Sequence, residues 1–267
     1  KRTKLDSVDG FFAIALGKHG ARELNYSSDI DPILLFDPDV LAEGERSGPA
    51  DTAQRMTRDI LRLLSDHTEE GYVFRVDLRL RPAAEITPLA VSVNAALSHY
   101  ESAALAWERA AFIRARSAAG DIERGERFLA TIRPFVWRRS VDFGTIDDIA
   151  QLRLRIREAY SGEPELGPGF DLKRGRGGIR EIEFFAQTHQ LIHGGRDPRL
   201  RSSDTRAALF ALARADIIAE ETAGKLAAAY ARLRVAEHRI QMLEARQTHT
   251  IPSGDALERL AHLDGFV

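Results

Sequence analysis

The chain has 267 residues, 44% hydrophobic and 29% charged, with no cysteine. That length buries a sizeable core in one large or two modest domains, and the missing cysteines exclude disulfides and thiolate metal sites. With 38 basic against 40 acidic residues and a formal net charge of -2, general affinity for nucleic acid is not expected. No apolar run is long enough to cross a bilayer and no leader pattern opens the chain, so a cytoplasmic protein is expected, with no membrane partner. The start at Lys1 and the stop after Gly-Phe-Val read as a piece of a longer protein.

In chain order, Val8, Phe11, Phe12 and Ala15 recur at helical spacing and predict a helix over 5–16, broken by Gly17 and Gly20. Residues 33–36 read as a short buried strand, Asp37-Pro38-Asp39 as a turn, 41–49 as a polar loop. A helix is expected over 53–64, with Met56, Ile60, Leu63 and Leu64 on its apolar face. Residues 73–81 alternate: Phe74, Val76, Leu78 and Leu80 on one face, Arg75, Asp77, Arg79 and Arg81 on the other, ended by Pro82. The pattern over 92–118 is helical, with a break near Ala103. Beyond about residue 125 helical periods dominate, over 146–159, 179–193, 205–213 and 221–243. The expected architecture is α+β: a small mixed sheet with flanking helices in 1–125, followed by an α-helical bundle in 126–267.

Asp29 and Asp31 lead into the apolar run at 33–36, and residues two apart on a strand share a face. Alone, Asp-x-Asp is a common polar turn. Asp77 among arginines on a second strand face shifts the balance, because three carboxylates suit two magnesium ions in an in-line phosphoryl displacement. Arginines add bidentate contacts to phosphate oxygens. Asp29, Asp31 and Asp77 are therefore the candidate catalytic and metal-binding residues. Basic clusters at 75–81, 133–139 and 173–180 suit local phosphate handling.

Leu16-Gly17-Lys18, ten further residues and Asp29-Ile30-Asp31 resemble the signature of the nucleotidyltransferase superfamily that includes DNA polymerase beta. In that superfamily a Gly-rich turn cradles nucleotide phosphates, which implicates Gly17, Lys18 and Ser28, with Arg79 and Arg81, in nucleotide or phosphate binding. Lys18 replaces the usual Gly or Ser; it reads equally as a phosphate contact or a solvated helix end. Longer strings resemble the glutamine synthetase adenylyltransferase family: residues 17–31, Arg75-Val76-Asp77-Leu78-Arg79-Leu80-Arg81-Pro82, Trp107-Glu108-Arg109 with Arg114-Ala115-Arg116, and residues 177–184. Ala21 and Pro32 depart from its pattern, where Gly and an aliphatic residue are usual. Residues 133–139, Gly-Gly-Ile-Arg-Glu-Ile-Glu-Phe, His193-Gly194-Gly195-Arg196 and 247–252 resemble the half of the family that removes AMP.

The resemblance implies phosphorolysis of the AMP–tyrosine bond of glutamine synthetase, releasing ADP, in control of nitrogen assimilation. Its implied partners are adenylylated glutamine synthetase, ADP or ATP, phosphate, and a PII nitrogen-signal protein. Two alternatives stay open: ATP-dependent adenylylation of the same tyrosine, and a catalytically silent module that binds PII. Arg180, Glu183, Gln187 and Gln190 form one polar stripe at three- and four-residue steps. That stripe reads either as facing a cleft or as an internal ladder. Arg180, Glu181, Glu183 and Gln187 are the candidates for supporting the site, the two glutamates as outer-sphere or acid/base groups. The histidines do not show zinc spacing, and Trp107 and Trp137 read as packing residues.

Overall fold

Phe11–Ala15 is apolar at every position, and in a computed structural model of the chain it is a strand, β1, not the helix its spacing suggested. Both faces are covered, so an unbroken apolar run mimics helical periodicity. The structure describes residues 8–41, 48–139, 160, 162–244 and 246–265; the helix expected over 146–159 and most of the loop over 41–49 lie outside them. By its contacts the chain divides into two units, Lys1–Leu24 with Ser28–Trp137, and Asn25–Ser27 with Arg138–Val267.

In the first unit β1 pairs antiparallel with β3, Pro32–Phe36, and with β6, Arg116–Gly120; β5, Ala90–Ser92, runs parallel to β3. The sheet order is β5-β3-β1-β6, and a separate parallel pair joins β2, Asp29–Ile30, to β4, Arg75–Val76. Phe12, Ile14, Ile33 and Leu35 point into a core with Tyr100, Phe112, Phe128 and Val136, while Phe11, Leu34 and Phe36 meet Ala53 and Met56 on the opposite face. The sheet is thus a middle layer. On one face lies α2, Pro49–Ser65. On the other lie α3, Val93–Ser102, α4, Ala106–Phe112, α5, Ile122–Thr131, and α6, Arg133–Val136. Gln54 of α2 donates to Ala90 O (2.8 Å) and accepts from Ala90 N (3.2 Å), closing polar groups of the edge strand.

Three expectations change here. Leu63 is exposed, off the buried face of α2. The strand over 73–81 shrinks to Arg75–Val76, because β2 offers only two residues to pair with and Arg79-Leu80 already turns. The helical pattern over 92–118 splits into α3, α4 and β6, since residues from 116 on find hydrogen-bond partners on β1. Pro32 opens β3, a position where a missing N–H is tolerated. α5 and α6 pack on the first core through Phe128, Ile132 and Val136, so the division between units falls at Trp137, after the change of periodicity near residue 125.

The second unit is helical among its described residues, with one isolated bridge, Asp171 to Thr250. Its helices are α7, Ile179–His193, α8, Thr205–Arg214, α9, Glu220–Glu244, and α10, Asp255–Asp264. Ile179, Ile182, Ala186, Leu209, Ala227 and Tyr230 form its main core. Asp204 caps α8 by accepting from Ala207 N at 2.6 Å. No helix among the described residues is long and apolar enough to cross a membrane. The α+β arrangement expected from the sequence, a small mixed sheet with flanking helices ahead of a helical unit, is the one observed.

Candidate active site

Where β1 ends, Leu16 N donates to Asp31 O at 3.0 Å, bringing the following turn onto the Asp-x-Asp segment. Gly17 opens the short helix α1, Gly17–Gly20, with φ +53°, and a Cβ there would lie 2.8 Å from Asp31 Oδ2. A side chain at this position meets both a left-handed backbone and the carboxylate, which is the physical reason for glycine. Gly20 is needed too, because its Cβ would come within 2.0 Å of Arg114 O. Ala21, where the family has a second Gly, is in an ordinary right-handed conformation with φ -74°, so that departure carries no strain.

The Arg114-Ala115-Arg116 string braces this turn. Arg116 Nη2 donates to His19 O at 3.2 Å, and Arg114 Nη1 lies 3.9 Å from Glu23 Oε2. Burial, and then the Arg116 charge, hold the His19 imidazole below its usual range, so it is neutral near pH 7.

The second half of the site is the β2–β4 pair. Asp29 stands opposite Arg75 in register, and Arg75 Nε donates to Asp29 Oδ1 at 2.6 Å. Arg75 also donates to Tyr72 Oη at 2.5 Å and lies over its ring. One residue past the strand, Asp77 N donates to Ile30 O at 2.9 Å, so the parallel ladder carries Asp77 to the level of the Asp-x-Asp segment. Arg79 closes back on Asp77, its Nε 2.9 Å from Oδ2 and 3.0 Å from Oδ1, while its side chain is 85% exposed. The hydrogen bond from Arg79 holds the Asp77 carboxyl below the usual carboxylate range, against a smaller opposing effect of burial. In return Asp77 raises the Arg79 guanidinium, and Asp29 and Asp31 both add to the effect. All three carboxylates therefore act on one exposed cation.

No three acidic, histidine or cysteine side chains among the described residues are grouped closely enough to hold a metal ion. Asp29 and Asp77 face arginines instead, and Arg79 occupies the place a cation would take beside Asp77. Carboxylate oxygens are the donor type that hard cations such as magnesium prefer.

The other expected residues divide. Ser28 Oγ donates to Asp29 O at 3.1 Å, bracing the backbone at the first carboxylate, and Lys18 lies on α1 beside Gly17. Arg81, expected on the phosphate-binding face, lies past the end of the strand and bonds the loop that follows. Its guanidinium donates to the carbonyls of Leu78 (2.9 Å), Ala84 (2.5 Å), Thr87 (3.2 Å) and Pro88 (3.1 Å), because the chain turns before Pro82 instead of continuing as a strand.

In the second unit, Glu181 accepts from Gly177 N at 2.9 Å and Glu183 accepts from Tyr230 Oη at 3.1 Å. Gln190 is buried and donates to the carbonyls of Leu200 and Ser202, so the stripe is broken where α7 holds that loop. Arg180 and Gln187 are half-buried. Two groups were not singled out from sequence. Arg75 carries a signal, two residues before Asp77 on one strand face, but its partner Asp29 follows only from the strand register. His19 carries none beyond its place in the turn.

A family model for glutamate-ammonia ligase adenylyltransferase matches residues 2–131, and one for GlnD PII-uridylyltransferase matches residues 150–267. Three curated relatives carry the name bifunctional glutamine synthetase adenylyltransferase/adenylyl-removing enzyme. That of Mesorhizobium japonicum is 48% identical over 96% of the chain and 26% of its own length. That of Caulobacter vibrioides is 50% identical over 92% and 25%, and that of Bradyrhizobium diazoefficiens 49% identical over 96% and 26%. The chain spans about a quarter of the length of these relatives. With the Gly17 turn, the three carboxylates and the arginine brace all inside the matched region, the chain belongs to the glutamate-ammonia ligase adenylyltransferase family.

Proposed function

We propose that this segment removes AMP from a tyrosine of adenylylated glutamine synthetase by phosphorolysis, releasing ADP. The observation that supports a phosphoryl-transfer site is the β2–β4 pairing, which brings Asp77 level with the Asp29–Asp31 segment, with Arg75 on Asp29 and Arg79 on Asp77. The direction is supported by the strings resembling the AMP-removing half, residues 133–139, 177–184, 193–196 and 247–252. The relatives' printed name includes both activities.

Asp29, Asp31 and Asp77 would hold magnesium, which supplies charge neutralisation at the transferring phosphoryl group and at the leaving oxygen. Arg79, whose side chain is exposed beside Asp77, binds oxygens of the incoming phosphate. Lys18 and the turn at Gly17 contact the phosphate of the AMP group. A phosphate oxygen attacks the phosphorus, the bond to the tyrosine oxygen breaks in line, and the tyrosinate takes a proton from solvent. The neutral His19 imidazole adds no charge to the turn. The match of residues 150–267 to the PII-uridylyltransferase model supports a PII-type regulator as partner of the helical unit.

The test is AMP release from adenylylated glutamine synthetase with and without phosphate. Phosphate-dependent ADP formation supports the reading; AMP formed without phosphate means hydrolysis. Label loaded from ATP onto unmodified glutamine synthetase means transfer instead.

A further inference from the structure

Within the second unit, the segment that leads into α7 carries four cations, Lys173, Arg174, Arg176 and Arg180. Its base is firmly held. Phe170 and Leu172 are buried against Ile240. Leu172 N donates to His249 O at 2.8 Å, and Ile251 N donates to Phe170 O at 2.9 Å. The segment then returns on itself: Ile179 N donates to Leu172 O at 2.9 Å and Arg180 N to Lys173 O at 3.0 Å. Lys173 and Arg180 therefore flank the two sides of one loop. Inside it, Gly175 N donates to Asp171 O at 2.8 Å and Gly178 N to Gly175 O at 2.9 Å. At Gly178 a Cβ would come within 2.7 Å of Leu172 O, whereas at Gly177, φ +75°, a Cβ would meet nothing within 4 Å. The loop is packed shut at its base and open at its tip, where Arg176 is exposed.

The carboxylates of this loop are already committed. Asp171, 4% exposed, accepts from Lys173 N (2.9 Å) and Arg174 N (2.8 Å) through Oδ1 and from Arg174 Nε (2.8 Å) through Oδ2. Glu181 accepts from Gly177 N. Among the described residues, no carboxylate pairs with Lys173, Arg176 or Arg180. Like charges set on a fixed backbone repel, and an anion between them relieves that repulsion. The N–H groups of Ile179 and Arg180 are spent inside the loop, so the side chains, not the helix end, are the available donors. Two guanidinium forks and an ammonium match the several oxygens of a phosphate group. We infer that Lys173, Arg176 and Arg180 form a binding site for a phosphate group, carried by inorganic phosphate or by a nucleotide. Because the backbone is ordered before binding, only the side chains lose freedom. The site stands on the second unit alone and does not depend on the reaction proposed above.

The test titrates inorganic phosphate and, separately, ADP into the full chain and follows the backbone amide resonances of residues 173–180. Saturable shifts are expected, and they persist in Arg79→Ala, which separates this site from the phosphate contact proposed on the first unit. Arg176→Ala and Arg180→Gln should each weaken binding by about tenfold, the worth of a hydrogen bond to a charged group. Arg174→Ala should change it by less than about twofold, because that cation is already held by Asp171. Tighter binding of ADP than of phosphate assigns the group to a nucleotide; equal binding assigns it to free phosphate. Shifts that do not saturate in the millimolar range, that sodium chloride at matched ionic strength reproduces, or that vanish in Arg79→Ala overturn the site. Equal weakening by all three loop variants also overturns it, because the loop is then only a diffuse basic surface.

Discussion

The first unit keeps its charged cluster nearer the surface: Arg79 is 85% exposed against an Asp77 that is 18% exposed, and Arg75 and Asp29 are 34% and 28% exposed. The second unit encloses its own: Glu237 is fully covered and Arg234 is 11% exposed. Surface ion pairs contribute little and exchange partners readily, whereas a buried pair resists loss of either member. The same residue types thus serve two ends. The exposed pairs sit where an exchange of partners costs little, whereas the enclosed arginine is held by what surrounds it.

The largest effect that would sharpen this contrast is on chemistry. Asp29→Asn or Asp31→Asn should lower ADP release by roughly a thousandfold, since several kcal/mol of charge stabilisation are lost at about 1.4 kcal/mol per tenfold. The thermal midpoint should stay near that of the parent, and full activity in both variants would remove the site. Next comes stability in the second unit. Glu237→Leu leaves Arg234 buried without its carboxylate and should cost about 3 kcal/mol in urea unfolding. An unchanged midpoint would mean that solvent reaches the network. By contrast Arg79→Ala should leave the unfolding midpoint where it is while raising the KM for phosphate; a large stability loss would erase the distinction between the two clusters.

A smaller, mixed effect is expected at Gly17→Ala, which places a Cβ in a left-handed conformation at φ +53° and 2.8 Å from Asp31 Oδ2. It should cost roughly 1–2 kcal/mol and reduce turnover. The smallest effect concerns acid. Asp77 is held below the usual carboxylate range by Arg79. Its contribution is therefore complete above the ordinary carboxylate pKa and lost as pH falls through the lower folded value. Asp77→Asn should flatten the acid limb of a stability–pH curve below about pH 4, read as urea midpoints, with little change near neutrality.

The candidate residues were legible because their spacing is local. Asp29 and Asp31 stand two apart, and the Gly17 spacing places a glycine where the Asp31 carboxylate comes close. Asp77 was found through alternation, although the strand that suggested it is only two residues long. The strand was drawn through Arg81 for the same reason: alternation continues in the sequence after the strand has ended. The apolar run of β1 was taken for helix because a strand covered on both sides has no polar positions to reveal its period of two. β6 was taken for helix because its partner, β1, lies about a hundred residues earlier.

From the sequence alone came the carboxylates, the glycine turn, the long helices α7, α8 and α9 and the α+β order, all set by short-range spacing and side-chain chemistry. Tertiary structure decided the pairings. Asp29 meets Arg75 through a parallel register, Leu16 binds Asp31 across a turn, and Asn25–Ser27 joins helix α9 more than two hundred residues away. Such contacts depend on which backbone groups remain unpaired once the core has formed, and that is a property of the whole fold, not of any one segment.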